Sequence, residues 1–229
     1  MPVRGYSAAQ VRAAEAPLLA AGEPLMRRAA AALARGIRRE LEATGAVAGP
    51  VVLLVGSGDN GGDALFAGTE LSDDGVTVLA IPTSERLHQA GADAALAAGV
   101  QFVDHSDARA VGAAIESAAV VVDGILGTGT SPAPALRGVA RELVAAAIPV
   151  VSRRSIRVVA VDLPSGIHPD DGTVPDSTVL PATVTVTFGA AKAGLLREPG
   201  ARYAGRLEVV DLGLGPHLAA MTPLIASED

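Results

Sequence analysis

Three short runs of nearly uninterrupted aliphatic side chains constrain this chain most: Val51–Val55, Ala119–Asp123 and Arg157–Asp162. Val51–Val55 is too short to make a core helix and is rich in β-branched residues, so it reads as a strand. The other two runs read the same way. A strand that is apolar at consecutive positions is buried on both faces. That is the condition of a parallel sheet covered by helices on each side.

The segments around these strands carry helical signals. Ser7, with Gln10 three residues on, makes a capping box, and Val11, Ala14 and Leu18 keep one face apolar behind it. Pro17 is expected to kink or end that helix. After Pro24, the residues Leu25, Ala29, Leu33, Ile37 and Leu41 recur at helical spacing, and Gly45 is the expected stop. Further helices are expected over 63–73, 85–98, 107–117 and 136–147, and further strands over 76–81, 100–103, 182–188 and 206–211. Residues 124–135 are expected to form a loop. This alternation predicts an α/β chain: a three-layer α/β/α, Rossmann-like arrangement with a mostly parallel sheet and helices on both faces. The last strands are joined by loops and are expected to form a mixed edge. Residues 152–157 (Ser-Arg-Arg-Ser-Ile-Arg) read as a solvated loop, and the tail from Pro216 reads as peripheral. With no internal repeat or composition break, residues 1–229 read as one domain.

Composition narrows the function classes. Hydrophobic residues make up 49% of the chain but aromatics only 2%, so the core is expected to be built of Val, Leu, Ile and Ala. The absence of cysteine excludes disulfides, a thiol nucleophile and Cys-ligated zinc. A net charge of −7 argues against a general nucleic-acid binder, which needs a basic face. No stretch approaches the ~20 apolar residues of a membrane helix, and no signal-peptide pattern is visible, so the expected location is cytoplasmic.

Three glycine-rich or acidic loops follow strands, and ligands of open α/β sheets bind beyond the carboxyl ends of the strands. The first runs from Gly56 to Asp63 (Gly-Ser-Gly-Asp-Asn-Gly-Gly-Asp). Its glycines allow close backbone approach, and a helix start behind them offers free N–H groups to an anion. The second, Asp123 to Ser131, again puts glycines ahead of a helix. The third is Asp162-Leu163-Pro164-Ser165-Gly166. Each loop alone is also a common turn composition, and their convergence on one edge carries the functional reading. Lys192, in a loop after the strand ending at Phe188, either points into the same crevice or is exposed. The histidines show no metal spacing. His88, His105 and His217 read as surface residues, and His168 lies near the third loop.

Four motifs in order resemble the NAD(P)H-hydrate epimerase family, also called YjeF N-terminal domains. They are the Gly56 loop, Val-Asp-Gly-Ile-Leu-Gly-Thr-Gly at 122–129, Val-Asp-Leu-Pro-Ser-Gly at 161–166, and Thr-Phe-Gly-Ala-Ala-Lys-Ala-Gly-Leu at 187–195. Asp59 and Ala64 stand where the family has Asn and Gly, and 152–157 looks like an insert before a strand. The resemblance implies an epimerase that interconverts the R and S forms of hydrated NADH or NADPH. It implies dinucleotide contacts at Asp59, Asn60, Gly61, Gly62, Asp63, Gly127, Thr128, Gly129, Thr130, Ser131 and Asp162. It implies a potassium ion near Asn60, Asp123 and Ser165, and acid/base work at Asp162 with Asp63 and Lys192 as helpers. It further implies a homodimer and a functional partnership with an ADP- or ATP-dependent dehydratase, of which no fused copy is expected here. The alternative is a non-catalytic nucleotide-binding or scaffold module of the same fold.

Overall fold

The computed structural model describes residues 3–45, 49–129 and 133–226. Strand β1 (Arg4–Tyr6) and helices α1 (Ala8–Ala20) and α2 (Leu25–Ala43) precede β2 (Val51–Val55). Strand and helix then alternate: α3 (Asp59–Asp73), β3 (Val78–Pro82), α4 (Gln89–Ala97), β4 (Gln101–Phe102), α5 (Ala108–Ser117), β5 (Val120–Gly124), α6 (Gly138–Arg154) and β6 (Arg157–Val161). The rest comprises β7 (Val184–Phe188), β8 (Ala191–Lys192), α7 (Ala201–Ala204), β9 (Arg206–Val210), α8 (Gly215–Leu218) and β10 (Ile225–Ala226).

Seven strands form a Rossmann-like sheet in the order β4-β3-β2-β5-β6-β7-β9, and every neighbouring pair is parallel. The expected mixed edge is therefore replaced by a parallel one. A 3-10 turn at Ala193–Leu196 and the short α7 carry the chain back, so that β9 runs alongside β7. From β2 the chain moves outward in one direction through β3 and β4. It then returns to the other side through β5, β6, β7 and β9, so the order reverses between β2 and β5.

Period-2 alternation divides each strand between two layers. Val51, Leu53 and Val55 pack with Val11, Leu33, Ile37 and Leu65 from α1, α2 and α3. Val52 and Leu54 pack on the opposite face with Val111 and Ile115 of α5 and Val144 and Ala147 of α6. Each fully buried Val or Leu contributes about 1.5–3 kcal/mol of transfer free energy. That explains why five-residue strands suffice here.

Local signals and tertiary packing disagree in a few places. The capping box of α1 forms, with Gln10 N donating to Ser7 Oγ at 3.1 Å and Ser7 N to Gln10 Oε1 at 2.9 Å. Pro17 does not end the helix, which continues to Ala20. Pro17 and Ala13, the residue whose carbonyl loses a partner, both lie on the exposed face. The same holds for Pro149 and Ala145, so α6 runs past its expected end at 147 to Arg154. The expected solvated loop at 152–157 is exposed over 152–155, but its first three residues are the last of α6 and only 155–156 lie between helix and strand. Ser155 closes α6 in a left-handed conformation with φ 54°, and Arg157 opens β6 against the buried Glu40 of α2. Nor is the tail merely peripheral. Ile225 and Ala226 pair antiparallel with β1, which pairs in parallel with β8 and sets Tyr6 opposite Lys192.

Candidate functional site

The reversal of strand order opens a crevice at the carboxyl ends of β2 and β5, where open α/β sheets bind ligands. A cavity of about 300 Å³ lies there between residues 57–60 and 125–129. A second, of about 270 Å³, shares Ser57, Ile125 and Leu126 with it and extends to Thr83 and Arg137. A larger apolar cavity of about 550 Å³ between α5 and α6 contains none of the loop residues. It offers few groups for chemistry.

Helix α3 begins at Asp59, four residues before the expected start, so Asn60, Gly61, Gly62 and Asp63 form its first turn rather than a loop. None of Gly56, Gly58, Gly61 or Gly62 adopts positive φ, and Gly56, Gly61 and Gly62 serve close packing instead. A Cβ on Gly61 would stand 2.1 Å from the Gly56 carbonyl oxygen, and one on Gly56 would stand 1.8 Å from that of Ile125. The loops after β2 and β5 therefore touch backbone to backbone. Asp59 is exposed and lines the cavity at the positive end of α3.

Asn60, Asp123 and Ser165 meet around Leu126. Ser165 Oγ donates to Asp123 Oδ1 at 2.6 Å and Ser165 N to Oδ2 at 2.8 Å. Leu126 N donates to Ser165 Oγ at 2.8 Å, while Asn60 Nδ2 donates to the Leu126 carbonyl at 3.1 Å and to that of Val161 at 2.5 Å. Asp123 is wholly buried, and burial pushes its carboxyl up although the Ser165 and Ile125 hydrogen bonds oppose this. Gly127 packs flat on the Asn60 amide, and a Cβ there would be 2.3 Å from Asn60 Oδ1. Gly127→Ala is expected to displace that amide and cost about 1–3 kcal/mol, as overpacked interiors do. Urea denaturation checks it, and an unchanged midpoint would contradict the contact.

Beside this cluster, Asp162 ends β6 in a left-handed conformation with φ 67°, one that Asp tolerates better than most residues. The turn aims its carboxylate at the end of β7. Oδ1 accepts from Lys192 Nζ, from Phe188 N at 3.1 Å and from Thr187 Oγ1 at 3.2 Å. Lys192 is 2% exposed, and its Nζ also donates to the Phe188 carbonyl at 3.0 Å. Of the two alternatives for this lysine, the buried one holds, because β1 clamps β8 against the sheet end. Asp63 is 6% exposed, and its Oδ1 has no hydrogen-bond partner. Burial pushes the Asp63 carboxyl well up, Asp162, Asp59 and Glu15 add to the rise, and Lys192 opposes it.

Sequence reasoning missed four contributors to this site. Thr187 and the Phe188 amide were part of a motif without an assigned task. Arg12 and Glu15 come from α1, where Arg12 Nη1 donates to the Thr128 carbonyl at 3.0 Å. The half-buried Glu15 carboxyl is raised first by burial, and it feels Lys192, Asp162, Arg12 and Asp59. No spacing signal reveals that a residue of α1 reaches a carbonyl 116 positions ahead in sequence. Gly127, Thr128 and Gly129 line the cavity, whereas Thr130 and Ser131 lie outside the described residues. His168 turns away, its Nδ1 accepting from Asp170 N at 3.3 Å. His88 is not a free surface residue. Its Nδ1 accepts from Gly91 N at 3.1 Å to cap α4, and its ring packs on Gly62 and edge-on to Phe66.

Comparison with known proteins gives one consistent answer. Residues 22–194 match the family model described as YjeF-related protein N-terminus. The chain is 54% identical over 224 residues to an NAD(P)H-hydrate epimerase of Clavibacter michiganensis subsp. michiganensis, covering 96% of this chain and 94% of that one. It is 49% identical over 225 residues to an NAD(P)H-hydrate epimerase of Microbacterium testaceum, covering 98% and 84%. Against the bifunctional NAD(P)H-hydrate repair enzyme Nnr of Mycobacterium tuberculosis, identity is 43% over 215 residues, covering 91% of this chain but 41% of that protein. Among solved structures, the yeast protein YNL200c matches with a TM-score of 0.73 over 86% of each chain at 20% identity, a likeness of fold.

Proposed function

The chain belongs to the family of YjeF-related protein N-termini, and from that premise we propose that it is an epimerase interconverting the R and S forms of hydrated NADH and NADPH. The observation that carries the mechanism is two unlike buried carboxyls, close enough to influence one another, behind the strand ends that border the crevice. Asp162 receives three donors on one oxygen, including the Lys192 ammonium, as a carboxylate does. Asp63 is buried among acidic neighbours with a bare oxygen, as suits a carboxylic acid. Environments that set two carboxyls apart in this way assign an acid and a base.

The damaged carbon carries a hydroxyl beside the ring nitrogen. Asp63 donates a proton to that hydroxyl, the carbon–oxygen bond breaks, and the nitrogen lone pair forms the iminium. Water returns on the opposite face and gives its proton to Asp162. Atoms and charge balance, and no oxidant or covalent intermediate is involved. The dinucleotide is taken to lie across the two connected cavities, with Asn60, Gly61, Gly62, Gly127, Thr128 and Gly129 against it.

A potassium ion fits the neighbouring cluster. Asp123 is a buried carboxyl with no Lys or Arg acting on it among the described residues, and Ser165, Asn60 and the Leu126 carbonyl offer further oxygen atoms. One carboxylate among neutral oxygens suits a hard cation of single charge. Asn60, Asp123 and Ser165 would hold it, and it would supply positive charge to an anionic ligand. The dehydratase partnership rests on Nnr, whose name describes a bifunctional repair enzyme and which this chain matches over 41% of its length. A homodimer belongs to the same reading and is checked by sedimentation.

The direct test mixes the protein with the R form of hydrated NADH and a dehydratase that consumes only the S form. Recovery of NADH faster than the spontaneous rate supports the enzyme. Dinucleotide binding without acceleration supports the non-catalytic module.

Asp63 also predicts a pH response. Its folded pKa lies above the unfolded value, so it lends stability below the unfolded value and loses that contribution as pH rises through the folded one. The acid needed for the reaction is lost over the same rise. Asp63→Asn should therefore slow the reaction, lack the alkaline limb of the rate profile, and gain stability relative to the parent as pH rises. Rate–pH profiles and urea melts of both proteins measure this. An unchanged alkaline limb in Asp63→Asn would exclude Asp63 as its source.

A further inference from the structure

The two connected cavities differ in charge. The one between residues 57–60 and 125–129 has Asp59 in its lining. It lies on the side of Asp162, since Asn60 lines it and donates to the carbonyl of Val161, the residue before Asp162. The other is lined by Arg137 and by the hydroxyl residues Ser57, Thr83 and Ser84, and among the described residues it has no carboxylate.

The Arg137 side chain is exposed and makes no ion pair or hydrogen bond among the described residues. Arg141, one turn further along α6, is by contrast tied to Asp176 at 2.8 Å. The fold nevertheless fixes where Arg137 starts, because Leu136 is buried in the core layer beside it and Ala140 packs against the same cluster. Ser84 Oγ accepts from Arg86 N at 3.1 Å and keeps its own proton for another acceptor.

Topology sets the two cavities along a line. Thr83 follows β3, Ser57 follows β2, Ile125 follows β5 and Asp162 follows β6, and these four strands are consecutive in the sheet. Three strand spacings separate the first end from the last, roughly 14 Å. A dinucleotide whose damaged ring sits at Asp162 therefore extends its adenosine half toward β3 and Arg137.

We propose that Arg137 is a specificity-determining residue. It pairs with the phosphate on the adenosine ribose of hydrated NADPH, with the Ser84 hydroxyl as a further donor in the cavity, and so favours that substrate over hydrated NADH. A phosphate monoester is nearly doubly ionised at neutral pH, and a guanidinium meets it with two parallel N–H donors. Hydrated NADH presents a neutral hydroxyl at the same place. The inference rests on the epimerase reading above and adds the direction in which the substrate lies.

The test measures kcat/KM of the full chain for the R forms of hydrated NADPH and hydrated NADH, with S-specific dehydratase in excess. The parent should prefer the NADPH form by about fivefold in dilute buffer, between what an exposed ion pair and a buried charged hydrogen bond give. Added salt should shrink that preference. Arg137→Gln should abolish it by lowering kcat/KM for the NADPH form alone, and Arg137→Lys should keep part of it. Arg154→Gln removes the same charge about 25 Å along α6 and should leave the preference unchanged. Titration with 2′,5′-ADP and 5′-AMP, which differ by that one phosphate, should show the same loss of discrimination in Arg137→Gln. An equal loss on both substrates would make Arg137 a ligand of the shared pyrophosphate and overturn the specificity role. A parent without preference, or a preference that survives Arg137→Gln, overturns it too, and all three outcomes leave the epimerase intact. A parent that accelerates neither substrate overturns the epimerase reading, and the titration then still decides whether Arg137 holds the phosphate.

Discussion

Asp162→Asn is expected to slow epimerisation by about 10²–10⁴-fold, the range of a positioned general acid or base. The side chain keeps its shape, but an amide cannot accept the proton from the returning water. Thr187 and the Phe188 amide still hold the oxygen at position 162, so dinucleotide affinity should change little. The coupled assay with the S-specific dehydratase gives the rate, and equilibrium titration with NADPH gives binding. A wild-type rate in this variant would remove Asp162 from the mechanism. Loss of binding in step with rate would instead make it a ligand-holding residue.

Lys192→Met has the larger effect on the fold. The ammonium is 2% exposed and paired to a carboxylate that is itself buried. Removing one member of such a pair strands the other, at about 3–5 kcal/mol. Replacing both with uncharged residues avoids the stranded charge. The double variant Asp162→Asn/Lys192→Met should therefore recover most of the stability lost by either single one, without recovering activity. Denaturation midpoints of the three variants decide it. Additive losses in the double variant would show that the pair is not coupled.

How much of this was legible beforehand varied with the range of the interaction that decided it. The capping box at Ser7 and the stripe from Leu25 to Leu41 concern neighbours on one helix, and both were readable. The strands at 51–55, 120–124 and 157–161 were readable because their apolar runs demand two covered faces. Pro17 misled, since it and Ala13, whose carbonyl loses a partner, both lie on the exposed face where water can take the bond. The glycines of the first loop were read partly as turn formers. For Gly56 and Gly61 the reason is the backbone of Ile125 and Gly56 against them, and for Gly62 it is the His88 ring, contacts that no local pattern contains.

The order of apolar runs, glycines and strand-end carboxyls determined an α/β sheet and put Asp123, Asp162 and the Gly56 loop at one edge of it, because a strand's direction assigns its carboxyl end. The tertiary structure alone decided the chemistry within that edge. Lys192 meets Asp162 because β1 and β10, from opposite ends of the chain, clamp β8. Asp63 keeps one oxygen without a hydrogen-bond partner because tertiary packing buries it. Arg12 reaches the Thr128 carbonyl because α1 folds back toward the loop after β5. Proton affinity depends on burial and on charges a few ångströms away, and those distances are set by packing between segments that sequence order keeps far apart.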